Sequence, residues 1–278
     1  MALESMSLPT PAGLAPRRER PFGRLGSLEV RLASSTEEVR AAQALRYRVF
    51  YGEMGARATP LQRFTGRDED RFDAHCDHLL VVDREGGEER IVGSYRLMPA
   101  ERAGAAGGFY SSPEFAVEEL VARHARRRFL ELGRSCVLKP WRGKRTVELL
   151  WQGIWCYVLE RGIDVLFGCA SLPGTDAQAT APALSFLQQA APAPAQWQVR
   201  ASSRDIVAEG ESLAAGRSAL QTLPPLLKGY LKLGALISTD AVIDRQFGTT
   251  DVFVVLPVER IAARYLAYYG PDSARFGL

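Results

Sequence analysis

The feature that most constrains this chain is a set of charged side chains embedded in segments otherwise built for burial. At about 100° per residue, a helix over Thr36–Glu53 puts Val39, Ala42, Val49 and Phe50 on one face, and Arg46 and Glu53 fall on that same face. A strand over Arg90–Met98 carries Arg96 on the side of Val92 and Met98, and a strand over Phe129–Leu138 carries Glu131 and Arg134 among apolar residues. A charge left buried and alone costs several kcal/mol, so such side chains survive only when paired and hydrogen-bonded. Either the fold assembles them into one network, or Arg46 snorkels from the edge of its stripe.

Partners for the arginines lie in Arg67-Asp-Glu-Asp-Arg-Phe-Asp-Ala-His-Cys-Asp-His78, where Asp70 and Asp73 bracket Phe72. An aromatic inside a charge run suggests that the loop packs down, although a solvated loop is the alternative. Asp70, Asp73, His75, Cys76, Asp77 and His78 offer metal ligands, but their spacing matches no standard zinc or calcium pattern, so no metal is expected. Strand alternation places Glu131 and Arg134 on opposite faces. Both can serve one site only if the strand is bulged or ends between them.

Around these residues the pattern predicts one large ordered unit. Residues 1–27 are rich in Pro, Gly, Ser and Arg, without periodicity, and read as a disordered basic tail. Residues 28–278 read as a single domain with a C-terminal extension. A short strand is predicted over Ser27–Ala33, and Ser35-x-x-Glu38 is a capping box for the helix that follows. Gly55–Ala74 reads as an irregular loop. Strands are predicted over Asp77–Val82, Arg90–Met98, Phe129–Leu138, Asp164–Ser171, Gln196–Ala201 and Asp251–Leu256. Helices are predicted ahead of the basic run Arg123–Arg128 and over Thr146–Arg161, Ala181–Gln189, Leu223–Ile237 and Val258–Tyr269, with a linker at Ala190–Ala195. Strands and helices mix without strict alternation, so the fold class is α+β: a mixed, mainly antiparallel sheet flanked by helices.

Several function classes fall away. The net charge of +3 is spread along the chain and no nucleic-acid signature accompanies it. No GxSxG, Walker or dinucleotide glycine motif is present. The four cysteines, Cys76, Cys136, Cys156 and Cys169, lack CxxC spacing and fit a reducing compartment. No apolar run approaches the roughly 18–20 residues of a membrane span. A cytoplasmic protein, soluble or peripheral to a membrane, is the expectation.

The ordered series Arg46-Tyr-Arg-Val-Phe50, Glu53-Met-Gly, Asp70-Arg-Phe-Asp73, Asp77-His-Leu-Leu, Gly93-Ser-Tyr-Arg-Leu97 and Glu131-Leu-Gly-Arg-Ser135 resembles two related GNAT-fold groups. One is the acyl-homoserine lactone synthases. The other is the ornithine N-α-acyltransferase family, often labelled hemolysin-like. Matches specific to the latter are Glu131-Leu-Gly-Arg-Ser-Cys-Val, Leu150-Trp-x-Gly-Ile, Phe167-Gly-Cys-Ala-Ser-Leu, Pro224-Pro-Leu-Leu-Lys-Gly-Tyr-Leu and Asp244…Phe247-Gly-Thr-Thr-Asp-Val. Together they span about residues 28–270.

The resemblance implies a GNAT-like fold and transfer of a 3-hydroxyacyl group from acyl carrier protein to the α-amine of ornithine, giving lyso-ornithine lipid. No cofactor is implied beyond the carrier's phosphopantetheine thioester, which acts as donor substrate. Arg46, Phe50, Asp70, Asp73, Arg96, Arg134 and Ser135 are the implied substrate-site residues. Glu131 is the expected general base, because an α-ammonium must lose a proton before it attacks. Val137, Arg142, Gly143, Lys144 and Arg145 are the expected donor residues. The GNAT donor pattern survives only as Lys139-Pro-Trp-Arg-Gly-Lys-Arg, which argues against ordinary acetyl-CoA use. Backbone N–H groups over Ser135–Leu138 are the expected oxyanion site, and Arg123, Arg126, Arg127 and Arg128 extend the candidate carrier surface. Alternatives are another amino acid or an autoinducer-type acceptor, covalent transfer through Cys136 or Cys169, and a membrane-lytic role.

Overall fold

Period-two alternation in the central strands gives every second side chain to a different layer, and that division organises the molecule. The structure is a computed structural model describing residues 20–203, 205–207, 217–270 and 275–276. In chain order the elements are β1 (Gly23–Leu25), β2 (Leu28–Leu32), α1 (Thr36–Tyr47), α2 (Pro60–Thr65), β3 (Asp77–Asp83), β4 (Arg90–Pro99), α3 (Ala103–Ala106) and α4 (Val117–Arg123). They continue as β5 (Phe129–Val137), α5 (Lys144–Arg161), β6 (Val165–Pro173), α6 (Ala177–Ala190), α7 (Arg217–Thr222), α8 (Pro225–Leu233), β7 (Leu236–Asp244), β8 (Thr249–Pro257) and α9 (Ala263–Tyr269).

The strands form one sheet in the order β1-β2-β3-β4-β5-β6-β8-β7, antiparallel except for β5 against β6. On one face, Leu79, Val81, Leu130, Leu132, Leu166, Val252 and Val254 pack with α5, the long apolar helix. Gly153 lets that helix settle: a Cβ there would lie 2.7 Å from Val30 and 2.8 Å from Leu79. On the other face, Leu80 and Val82 meet Ala42 of α1, while Phe129, Phe167 and Phe253 join Phe109, Phe115 and Phe72. The buried charges belong to this second face.

Two bulges reset the alternation. Between β4 and β5, Arg96 faces Gly133 but Ser94 faces Cys136, so β5 holds one extra residue opposite Tyr95. Arg134 sits there with φ 53°, left-handed and unusual for a side chain with a Cβ. The bulge demanded by Glu131 and Arg134 is therefore present. A second irregularity, between Val81 and Val82 of β3, leaves Val92 unpaired, so Val92 joins the α5 face while Arg96 and Met98 keep to the other.

Next to the bulge the sheet parts. Registered pairing of β5 with β6 stops at Glu131↔Phe167, after which β5 pairs only with β4 and β6 only with β8. At the fork Gly168 is required, because a Cβ there would lie 2.3 Å from the Leu132 carbonyl oxygen.

Several boundaries differ from expectation. Order begins before Ser27, since β1 pairs with β2; residues 1–19 lie outside the described residues. Beyond Tyr47 the first helix continues as a wider, π-type turn over Arg48–Glu53. The segment read as a loop contains α2, closed by a Thr59/Gln62 capping box and left-handed Gly66. Gln196–Ala201 forms no strand, only a bridge from Ala201 to Phe115. The helix expected over Leu223–Ile237 ends at Leu233, where Gly234 turns the chain into β7, and the last helix is confined to α9. Among the described residues no helix is long and apolar enough to cross a membrane.

Candidate active site

The buried network forms where α1 and the Arg67–His78 loop cover the second face of the sheet. Arg46 is fully buried; its Nε donates to Asp68 Oδ2 at 2.9 Å and its Nη2 to Asp73 at 2.8 Å. Nη2 also reaches the Asp68 carbonyl oxygen. Arg96 donates from Nη1 to both oxygens of Asp70 at 2.7 Å and to Asp73 at 3.2 Å. Arg134 lies 3.2 Å from Asp68 and 3.7 Å from Asp70, and donates to the Tyr110 hydroxyl at 2.8 Å. Its guanidinium sits 4.5 Å from the Tyr110 ring centroid, 4.7 Å from Phe247 and 5.9 Å from Phe50. Three arginines and three aspartates thus share one closed cluster, and the snorkelling alternative for Arg46 falls.

Burial raises the carboxyl of Asp73, but Arg46 and Arg96 outweigh it and hold the group below its ordinary range. Three buried guanidinium nitrogens of the cluster, Arg46 Nη1, Arg96 Nη2 and Arg134 Nε, have no hydrogen-bond partner among the described residues. Such donors are costly to leave unmet, and a bound carboxylate is the chemistry that answers them.

Glu131 is 2% exposed and both its oxygens are occupied. Oε1 accepts from the Ser111 amide at 2.8 Å and the Ser111 hydroxyl at 2.6 Å, and Oε2 from the Tyr110 amide at 2.9 Å. Glu131, the expected general base, thus holds the 110–111 turn through both its oxygens. Burial raises its pKa, only partly offset by those donors. The bulge brings Glu131 and Arg134 together through Tyr110: one holds its backbone, the other its hydroxyl.

A second buried carboxyl, not singled out from the sequence, lies near Arg134. Glu114 follows the clamped turn and accepts from the Cys169 thiol at 3.4 Å. Burial, then Asp251 and Asp244, push it up to about 7. Asp251, pushed up to about 6 chiefly by burial, accepts from the Thr249 hydroxyl at 2.8 Å. Arg134 acts electrostatically on both carboxyls. Donor atoms of Glu114, Cys169 and Asp251 lie within 4.8 Å of one another, near enough to share a cation. The thiol's proton, already donated to Glu114, accounts for the contact without one. Burial raises the Cys169 and Cys136 thiols, the latter to about 12, which disfavours thiolate chemistry at either.

Asp68 was equally unremarked. Only the acidic run pointed to it, and its 1% exposure shows it to be the deepest carboxylate of the network. Glu53, expected beside Arg46, instead pairs with Arg142. Ser135 lies beside the Tyr95 hydroxyl, on the α5 side of the sheet. Of the proposed oxyanion donors, the Leu138 amide is taken by the Val92 carbonyl at 2.9 Å. Gly93 and Val137 are directly opposed, so antiparallel alternation turns the neighbouring Val137 N–H away from β4, toward the fork.

Beyond Val137 the basic turn is presented openly. Arg142 donates to the Val137 carbonyl at 2.9 Å, Gly143 precedes α5 without a side-chain cap, and Lys144 and Arg145 are exposed. The other basic run is mostly engaged internally. Arg123 donates to the Gln198 carbonyl, Arg127 pairs with Glu259 at 2.7 Å, and Arg128 donates to the Arg161 carbonyl at 3.0 Å. Those three are ties between elements rather than a free landing surface.

The sheet that forks beside a bulged strand, with an uncapped helix beyond it, is that of a GNAT-like fold. The family model described as an acetyltransferase (GNAT) domain matches residues 45–152. The L-ornithine N(alpha)-acyltransferase of Rhizobium meliloti (strain 1021) is 51% identical over 92% of this chain and 88% of its own length. That of Brucella abortus (strain 2308) is 51% identical over 92% and 93%, and that of Rhodobacter capsulatus 38% over 87% and 95%. The chain belongs to the L-ornithine N(alpha)-acyltransferase family. It is an acyltransferase enzyme.

Proposed function

We propose that this enzyme transfers a 3-hydroxyacyl group from acyl carrier protein to the α-amino group of ornithine, forming lyso-ornithine lipid, the first step of ornithine lipid synthesis. The observation that carries the reading is the bulge at Arg134. It sets a guanidinium between the aspartate cluster and the Glu114–Asp251 pair, and that arrangement complements an amino acid bearing one carboxylate and two amines. Arg134 and the unmet Arg96 Nη2 receive the carboxylate; Asp251 and Asp244 favour the δ-ammonium.

Glu114 then takes the proton of the α-ammonium, since a base near neutrality combines availability with driving force. The freed amine attacks the thioester carbonyl, forming the C–N bond. The tetrahedral oxyanion is met by the Val137 N–H. Collapse expels the pantetheine thiolate, which takes up a proton as the amide forms. Glu131 acts as a positioning residue, holding Tyr110 and hence Arg134. Phe50 and Phe247 wall the guanidinium from water. Arg46 and Asp73 brace the loop that carries Asp70.

The donor arm enters along the β5 edge, with its phosphate at Gly143 and the first turn of α5. Arg142, Lys144 and Arg145 meet the acidic carrier. A carrier donor places the reaction in the cytoplasm. The deciding experiment incubates the purified protein with 3-hydroxyacyl carrier thioester and a panel of amines, followed by mass spectrometry of N-acyl products. Product from ornithine and not from adenosylmethionine or other amino acids is expected. Faster reaction with a different acceptor, or equal use of an acyl-CoA, overturns the corresponding half of the reading.

A further inference from the structure

The most exposed large apolar side chain among the described residues stands on the short helix α2. Phe64 is 90% exposed, Leu61 68% and Met54 59%, and these three lie within eleven residues. Monomeric proteins scatter single exposed apolar residues, whereas a cluster marks a contact site.

The cluster is held firmly. The Ala56 amide donates to the Phe50 carbonyl at 3.0 Å, Arg57 to the Gln246 carbonyl at 2.8 Å, and Asp68 to the Gln43 carbonyl at 3.0 Å. The capping box fixes the start of α2, and left-handed Gly66 fixes its end. Gln62, on the buried side, lies beside Tyr51, whose hydroxyl donates to Asp68 of the active-site network at 2.9 Å. Leu61 and Phe64, three residues apart, share the outward side. A rigid scaffold therefore projects apolar tips into solvent beside the site.

Charge decides between occupants. Residues 54–67 contain Arg57, Arg63 and Arg67 and no acidic residue. Arg67 pairs with Glu69 at 3.1 Å, while Arg57 and Arg63 are exposed and make no ion pair among the described residues. A second copy packed two-fold on this patch would set like charges against one another, which opposes self-association. The carrier's basic landing place lies elsewhere, at Arg142–Arg145. Projecting apolar side chains ringed by unpaired arginines suit a fluid, negatively charged surface, which needs no complementary cavity.

We infer that α2 and its flanks, through Met54, Leu61, Phe64, Arg57 and Arg63, seat the enzyme on an anionic lipid bilayer with the active site facing the membrane. Release of an acylated amino acid straight into that bilayer is the benefit, which rests on the acyl-transfer reading; the contact itself does not.

The test uses the full chain without substrates, so it is independent of turnover. Sedimentation is compared for vesicles of phosphatidylcholine alone and for vesicles containing phosphatidylglycerol. The wild type is expected to sediment with the anionic vesicles, less so in high salt, and hardly with the zwitterionic ones. Leu61→Ser with Phe64→Ser, and separately Arg57→Glu with Arg63→Glu, are each expected to weaken that binding by on the order of tenfold or more, with unchanged melting temperature. Absence of wild-type sedimentation, or equal sedimentation of the Leu61/Phe64 variant, overturns the inference. A wild-type dimer that this variant converts to monomer, with vesicle binding unchanged, overturns it in favour of a second copy.

Discussion

Glu114 and Asp68 show how burial assigns different work to one functional group. Asp68 meets two guanidinium groups and the Tyr51 hydroxyl and is fully engaged. Removing its charge leaves Arg46 buried with too little compensation, so Asp68→Asn should cost about 3–5 kcal/mol in chemical denaturation. Asp70 keeps 23% side-chain exposure, so Asp70→Asn should cost less and act mainly on acceptor KM. Glu114 faces the opposite circumstance. Its folded pKa, about 7, lies above the ordinary 4.5, so between those values the unfolded chain ionises while the folded chain stays protonated. Stability contributed by this group is present below about 4.5 and falls as pH rises to about 7. Glu114→Gln should therefore stabilise by about 2 kcal/mol at pH 8 and hardly at all at pH 4.5, read as melting temperature at the two values. If Glu114 is the base, the same variant should lose about 100-fold or more in kcat, together with the rise in rate through pH 7. Glu131→Gln should instead lose stability and activity together, with the rise through pH 7 retained, because it loosens the turn that holds Tyr110.

At the level of elements, the fork depends on a contact that no side chain mediates. Any Cβ at residue 168 meets the Leu132 carbonyl oxygen, and neither backbone can retreat without unpairing β5 from β6. Gly168→Ala should therefore lower stability by about 1–3 kcal/mol, seen in thermal denaturation, and reduce kcat by displacing Val137. Such constraints explain what the sequence made legible. Long, strongly patterned segments such as α5 and β3 were readable, since one face of each is continuously apolar. The charge misfits at Arg46, Arg96 and Arg134 required a network, and Glu131 with Arg134 required a bulge. Of their partners, Asp70 and Asp73 were readable and Asp68 was not. Asp68, Asp70 and Asp73 are alike in composition, and only the path of the loop decides which is deepest. Nothing in the strand of Glu131 reveals that the amides of residues 110 and 111, some twenty positions earlier, close over it. Glu114 sits in an unpatterned turn, where only the chain's return near β6 and β8 gives it Cys169 and Asp251. Helix α2 was missed because six residues carry too little periodicity to register.

Across the whole molecule, the proposed paths of donor and acceptor lie on different sides of one forked strand. The buried arginine–aspartate cluster proposed for the acceptor lies on the α1 face, around Arg134. The donor turn stands past the end of β5, at the start of α5, whose uncapped first N–H groups and positive dipole end suit a phosphodiester. The two requirements are separable by mutation because they share only the backbone between Arg134 and Val137. Lys144 has 82% side-chain exposure and only a long contact to Glu148, 3.7 Å, so reversing its charge disturbs little of the fold. Lys144→Glu combined with Arg145→Glu should raise KM for an acyl carrier thioester by about tenfold or more, with kcat within about twofold. Added salt should raise wild-type KM steeply and the variant's far less, because interaction between exposed charges is screened over roughly 10 Å at 0.1 M. An acyl-pantetheine thioester, which lacks the protein, should be used equally well by both. Equal loss with the two donors would mean that the turn serves the arm rather than the carrier's surface. That comparison separates recognition of the partner from recognition of its prosthetic group.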